Sequence, residues 1–454
     1  MITRRRAVLL PLLVALVVFL YLGHLTVPSI TLPGIALRPS PPRIVEQPHH
    51  EAEEPMLPFP LPKPPPSAAH ARLGQGRWHP LPVPDRATLD GRWGPHGHYC
   101  LPSWREEFDT LTQDEKNQAG EERLLACAGW EWEPVQGALR EWDVAAFAER
   151  LLNSERGLLI VGDSLTGQMA DVLFSMLIMP LPNMDNPFQA FSPTVHYSEG
   201  SHVVLDHMSI TLNHGHPLYH ELRSRLPHVP ASRFDEPIVD YMRSDLLFSY
   251  DELDPIFERV GFHHAPYEYT PFASQFPWQS HLPNATARWE GEQDSILILN
   301  TGAHWSPARW ATNAEEYTKG YLGVALALLP KLLATPKLHL VYRSIASAHT
   351  KCYRHSTPVF PGKVVDTGDE ETDWGWAHFP SLDRIWTEEL DRAAPEGVSP
   401  GGGRVDYLNV REMTAQRPED HLLGQDGKGD CLHWCGPTVP GTWVKMLWHI
   451  MGEQ

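Results

Sequence analysis

Two short segments, far apart in the chain, carry the side chains that hydroxyl-based acyl transfer needs. They are Gly162-Asp163-Ser164 and Asp430-Cys431-Leu432-His433-Trp434-Cys435. Ser164 offers a nucleophile, His433 a base, and Asp430 a carboxylate to orient that base. Asp430 and His433 stand three apart, so within one helical turn their side chains fall on one side. Asp430 can then accept a hydrogen bond from one ring nitrogen, fixing the tautomer and leaving the other nitrogen for the serine proton. Other readings compete. Ser164 also suits a helix N-cap, and the Asp-x-x-His pair also suits a structural loop. Cys431, His433 and Cys435 have the types zinc prefers, but no second ligand pair accompanies them, so no metal is expected.

The flanking patterns say what positions these groups. Leu158-Leu159-Ile160-Val161 is a short apolar run of the kind buried parallel strands show. It ends at Gly162-Asp163-Ser164, and a helical run from Gln168 to Met179 follows until Pro180. A residue in such a turn projects from the sheet edge, near helix N-terminal amides that can stabilise an anion. The pattern recurs where Ser295–Leu299 runs into Asn300-Thr301-Gly302, with a helix over 322–333 and a strand over 338–343 behind it. Another strand is expected over 405–410, and helices over about 104–126 and 144–152. Buried strands alternating with helices indicate an α/β sheet, which takes ligands at the carboxyl ends of its strands. Ser164 and Asn300 both fall there. Asn300 can donate its amide to a developing oxyanion beside the Ser164 backbone N–H, or serve simply as a turn residue. Trp305 and Trp434 can stack on sugar rings or fill the core. Residues 180–290 show no period and read as long loops, a substrate-shaping insertion.

Composition bounds the rest. The chain has 454 residues, 42% of them hydrophobic, with sixteen tryptophans, enough for a sizeable core. A net charge of −19 argues against nucleic acid, whose phosphates need a basic face. Arg4-Arg5-Arg6 precedes an uncharged apolar run from Ala7 to Leu25, near the length that spans a bilayer. The exit, His24-Leu25-Thr26-Val27-Pro28, lacks the small residues of a cleavage site, so an uncleaved anchor is expected. The positive tail, residues 1–6, then stays cytosolic and the remainder is lumenal. Proline dominates from Pro28 to Pro66 and makes residues 26–90 an extended stem before a domain over 91–454. Five cysteines in an oxidising lumen allow two bridges and leave one thiol. Asn284-Ala285-Thr286 is a glycosylation sequon.

In this order the segments resemble the PC-esterase superfamily, particularly the trichome-birefringence-like polysaccharide O-acetyltransferases and their fungal relatives. The likeness rests on Val161-Gly162-Asp163-Ser164-Leu165 with Gln168, and on Leu299-Asn300-Thr301-Gly302 with His304-Trp305. Val341-Tyr342-Arg343-Ser344 with His349 and Cys352 adds to it, as do Arg417-Pro418, Asp420-His421 and the closing Asp430–Cys435 motif. It implies an SGNH-hydrolase-like α/β/α sandwich with a mostly parallel sheet. Ser164 would be the nucleophile, His433 the base and Asp430 its partner, with Asn300 and the Ser164 amide facing the oxyanion. His304, Trp305, Trp434, Arg343 and Arg417 would face substrate. The family's bridges would be Cys352–Cys431 and Cys127–Cys435, leaving Cys100 unpaired because its expected mate position, near Ser175, is not cysteine. Gly441 stands where an acidic residue is usual, and the second-block glycine falls to Gly200 or Gly215.

The activity so implied is acyl transfer, chiefly of acetyl, to a polysaccharide or glycan hydroxyl by a single-pass type II protein of the Golgi or another secretory membrane. The resemblance implies no tightly bound cofactor. The acyl donor, acetyl-CoA or an acetylated intermediate, is a co-substrate, with a donor-supplying membrane protein as partner. Two further readings stay open: an esterase using the same triad with water as acceptor, and a non-catalytic glycan-binding or scaffold protein.

Overall fold

The computed structural model describes residues 69–83, 85–94, 100, 111–177, 190–196, 207–264, 277–284, 289, 291–360, 374–422 and 430–452. The apolar run at 7–25 and the whole proline-rich segment from Pro28 to Pro66 lie outside these residues. Among the described residues no helix is long and apolar enough to cross a membrane.

A two-stranded antiparallel ribbon joins β1 (Gly76–Pro80) to β2 (Trp130–Pro134). The main sheet contains β3 (Leu158–Gly162), β4 (Phe191–His196), β5 (His207–Leu212), β6 (Val239–Arg243), β7 (Ser295–Leu299), β8 (Leu338–Arg343) and β9 (Val405–Leu408). Its order is β4-β5-β6-β3-β7-β8-β9. From β6 to β9 all neighbours are parallel, whereas β5 runs against both β4 and β6. The longer helices are α1 (Arg86–Trp93), α2 (Gln113–Ala128), α3 (Val144–Leu152), α4 (Ser164–Leu177), α5 (Pro217–Arg225), α6 (Tyr250–Val260), α7 (Ala314–Ala334), α8 (Phe379–Ala393) and α9 (Thr438–Met451).

Every residue of β3, β7 and β8 is buried, so β3 and the Ile296–Leu299 part of β7 read as apolar runs rather than alternating ones, whereas β8 also buries His339, 2.6 Å from Asp406 of β9. Right-handed crossovers place α4, between β3 and β6, on one face, and α6, α7 and α8 on the other. The packing agrees, with α6 and α8 against α7, and α9 against α4. The result is the expected α/β/α arrangement. The chain leaves β3 toward β6 on one side, and leaves β7 toward β8 on the other. That reversal is a topological switch point, where open sheets bind ligands outside their carboxyl ends. Ser164 and Asn300 are the residues just past those two ends.

Two expectations are corrected. Residues 69–90 do not all belong to a stem. Trp78 donates Nε1–H to Met413 O at 2.8 Å, and Trp132 donates to Leu73 O at 2.9 Å, which fixes this segment to the domain. Nor is 180–290 an insertion, because it supplies β4, β5 and β6, and β6 is the direct neighbour of β3. Its strand signal is masked by Val239-Asp240-Tyr241-Met242-Arg243, where buried Asp240 accepts the Ser209 hydroxyl at 2.5 Å. A polar pair between β5 and β6 breaks the apolar run by which a buried strand is recognised.

Candidate active site

Ser164 opens α4 directly after the β3 turn, so its N–H is among the helix's unpaired N-terminal donors. Asp163 caps the helix, its Oδ1 accepting from Leu165 N at 3.1 Å and Thr166 N at 3.4 Å. The turn is tight at Gly162, where any Cβ would come within 2.7 Å of the Asn300 carbonyl oxygen. Only glycine permits that approach.

The structure brings the distant segments together. His433 Nε2 lies 2.6 Å from Ser164 Oγ, and His433 Nδ1 lies 2.6 Å from Asp430 Oδ2. Asp430 Oδ1 accepts the backbone N–H groups of Leu432 at 3.3 Å and His433 at 3.1 Å. Burial works against an ionised Asp430, but the bonds from the His433 ring and these amides outweigh it and hold the carboxyl below its usual range. An ionised Asp430 requires the Nδ1–H tautomer of His433, which leaves Nε2 to accept the Ser164 proton. Ser164 and His433 are both partly exposed, so a ligand can reach them.

The histidine turn has little regular structure of its own and is fastened from several sides. Gln168, one turn beyond Ser164 on the same face of α4, donates Nε2–H to Trp434 O at 2.7 Å and accepts Trp434 N–H at 3.0 Å. Ser164 and this clamp thus share one rigid element. Leu422 N donates to His433 O at 2.7 Å, and Cys435 N to Asp420 O at 2.7 Å. Asp420 also takes Gly436 N–H at 3.1 Å and pairs with buried Arg417 at 2.9 Å. His421 stacks on Trp434 with ring centroids 4.1 Å apart. Its Nδ1 is 3.1 Å from His433 O and its Nε2 is 2.6 Å from His349 Nδ1. Desolvation pushes both histidines down, His349 to about 4, so the pair is neutral at neutral pH.

Cysteine pairing is half as expected. Cys352 bonds Cys431, beside the Asp430 carboxylate. Cys435, however, bonds Cys100, and Cys127 is a buried free thiol. The sulfurs of Cys100, Cys127 and Cys435 all lie within 4.8 Å of one another, so the expected Cys127–Cys435 bond and the Cys100–Cys435 bond differ only by a small shift within one cluster. Desolvation and the nearby Asp420 carboxylate push the Cys127 thiol well up.

Several residues expected to face substrate are instead structural. Arg343 is fully buried, donates to Thr166 Oγ1 at 2.9 Å and lies 4.7 Å over the Trp443 ring. Arg417 is equally buried, paired with Glu419 at 2.6 Å and donating to Cys127 O at 2.7 Å. Trp305 packs into an aromatic cluster with Trp310 and Tyr321 and donates to Thr301 Oγ1 at 3.3 Å. Trp434 is buried under His421. Core filling is the outcome for both indoles. His304 stays at the sheet edge, 3.2 Å from Asp245. Asn300 is buried, with Nδ2 donating to Arg343 O at 2.9 Å and Oδ1 accepting from Thr166 Oγ1 at 3.3 Å. One amide hydrogen is committed to β8, leaving the other.

Gly215 follows β5, an antiparallel strand, so it lies at the sheet edge opposite Ser164. Gly200 is outside the described residues. The strand beside β3 ends instead in Arg243-Ser244-Asp245, where Arg243 makes a two-bond fork to Asp245 at 3.0 and 3.2 Å. This pair was missed because its strand was unrecognised. Gln168 and His421 had a legible signal, the first lying one helical turn from Ser164, but their contacts need the folded chain.

Residues 279–450 match the PC-esterase family model, described as a GDSL/SGNH-like acyl-esterase family found in Pmr5 and Cas1p. Among curated proteins of Arabidopsis thaliana, trichome birefringence-like 15 is 26% identical over 184 residues, 34% of each chain. Trichome birefringence-like 9 is 23% identical over 343 residues, 70% of this chain and 71% of that one. Trichome birefringence-like 35 is 20% identical over 363 residues, 71% and 66% respectively. The chain thus spans about a third of the length of the first of these relatives and about two thirds or more of the other two.

Proposed function

We propose that this chain, which belongs to the PC-esterase family, transfers an acyl group, in the simplest case acetyl, to a hydroxyl of a polysaccharide or glycan. The observation that carries this reading is the relay of two 2.6 Å contacts from Ser164 through His433 to Asp430. In the first half-reaction Ser164 Oγ attacks the donor's acyl carbonyl while His433 Nε2 takes the hydroxyl proton. The oxyanion forms beside the Ser164 N–H and the remaining Asn300 amide hydrogen. Collapse expels the donor's leaving group, which departs with the proton from His433. A sugar hydroxyl then attacks acyl-Ser164, gives its proton to His433, and displaces the Ser164 oxygen, which recovers that proton.

These steps call for no prosthetic group. The donor, acetyl-CoA or an acetylated intermediate supplied by a membrane partner, acts as co-substrate. In this reading the run at 7–25 anchors the protein in a Golgi or other secretory membrane with the domain lumenal. Exposed Asn284 would accept a glycan there.

Mass spectrometry of the chain after donor exposure should find the acyl group on Ser164. An unmodified Ser164 under turnover conditions would remove the proposal. Hydrolysis is the second reading, favoured by the family's description as acyl esterases. Donor supplied with and without glycan separates the two: acylated glycan means transfer, and free acid alone means water is the acceptor.

A further inference from the structure

Trp305 and Trp434 fill the core, but two other tryptophans stand at the edge of the sheet that holds Ser164. Trp374-Gly375-Trp376 leads into α8. It packs on segments that follow the carboxyl ends of β7 and β8, where an open α/β sheet takes its ligands. Gly375, at φ +70°, lies against the loop after β7, since a Cβ there would come within 3.0 Å of Pro307 Cδ and 3.3 Å of Ser306 Cα. Trp376 packs with Tyr353 on the Cys352–Cys431 disulfide. Cys431 directly follows Asp430, whose carboxylate meets His433 and, through it, Ser164. A row thus runs from Ser164 through His433, Asp430 and the disulfide to Trp376 and Trp374.

The outer end of the row is open. Trp374 is the most exposed of the described tryptophans, at 37%, with the Arg309 guanidinium 5.0 Å from its ring centre. Two buried donors on the row, Trp376 Nε1 and Arg309 Nε, find no acceptor among the described residues. Such donors are normally satisfied. A pyranose answers both features, because its C–H face covers an indole and its hydroxyls accept from N–H groups. An anionic ligand fits less well, as Asp369, Glu370, Glu371 and Asp373 lead directly into Trp374 in the sequence.

We propose that Trp374 and Trp376 form a stacking subsite for a neutral pyranose chain, holding the sugars next to the one presented to Ser164. The assignment deepens the acyl-transfer reading and rests on it only in treating that chain as the acceptor.

Calorimetry with cellotetraose, xylotetraose and mannotetraose on the full-length chain carrying Ser164→Ala measures binding without turnover. At least one of the three should bind. Adding Trp374→Ala should weaken it about tenfold or more, the loss typical of a truncated aromatic anchor, with the melting temperature unchanged. Trp374→Tyr should keep most of the affinity, since a flat ring remains. Trp376→Ala should weaken the same sugar, and if that variant fails to fold, the exposed Trp374 decides. With Ser164 in place, Trp374→Ala should leave acylation of Ser164 by the donor unchanged and raise KM for the glycan. A residue that merely supports the histidine turn would slow both steps. No binding of any of the three sugars, unchanged affinity in folded Trp374→Ala, or equal slowing of both steps would overturn the subsite. Trp374-dependent binding without acylation of Ser164 in the unsubstituted chain would remove the acyl-transfer reading alone. Acylation of Ser164 with Trp374-independent binding would remove the subsite alone.

Discussion

Ser164 and His433 meet at 2.6 Å, but the turns that carry them are held in place by different means. Ser164 is fixed locally, by a buried strand, a glycine and an Asp163 cap within a few residues of it. His433 is fixed at a distance, by Gln168 from α4, by Asp420 and Leu422 from a neighbouring segment, and by disulfides at Cys431 and Cys435. Ser164 is built into one element, whereas His433, which reaches it across 269 positions, depends on cross-links. The serine side should therefore fail through chemistry and the histidine side through geometry.

Ser164→Ala should lower turnover by on the order of 10⁴ or more, and adding His433→Ala should cost little further, because the pair acts as a unit. Steady-state rates of the single and double variants check this. Additive losses would separate the two turns functionally. Asp430→Asn should lower kcat by on the order of 10³ to 10⁴ with little change in melting, since it disfavours the required tautomer. Gln168→Ala leaves Ser164, His433 and Asp430 intact but frees Trp434. Its kcat should fall by about 10²-fold, the scale of a 1 Å misplacement. An unchanged kcat would mean that the other pins suffice.

Smaller effects concern stability. Replacing Cys352 and Cys431 by serine should lower unfolding free energy by about 2–4 kcal/mol in denaturant titrations. Loss of activity at lower denaturant than loss of global fold would show the histidine turn loosening first. The His349–His421 pair supplies the gentlest test. His349 titrates near 6.5 when unfolded and near 4 when folded, so the unfolded chain binds more protons between those values. The stability it contributes is whole above about pH 6.5 and is lost as pH falls toward 4, by at most about 1.4 kcal/mol per pH unit. Melting temperatures over that window should decline, and His349→Gln should flatten the slope.

Legibility in the sequence followed the same division. The strands at 158–162 and 295–299 were readable because burial on both faces leaves runs that are almost wholly apolar, and 338–343 because Leu338, Leu340, Val341 and Tyr342 outweigh its one internal polar residue, His339. β6 was not, because Asp240 points a polar group at Ser209 within the sheet. Ser164, Asp430 and His433 were readable by type and spacing. The family resemblance put Arg343, Arg417, Trp305 and Trp434 at the substrate, yet all four are buried, and core filling, the other expectation for the two tryptophans, is what the fold shows.

The amino-acid order alone specified the chemistry on offer and the alternation of buried strands with helices, since both are encoded within a turn or a strand length. Packing decided the rest: which of three adjacent sulfurs pair, that residues 69–83 join the domain, and that β3 and β7 flank the reversal of strand order. Those outcomes depend on distances between remote segments, and such distances are fixed only when the whole core closes.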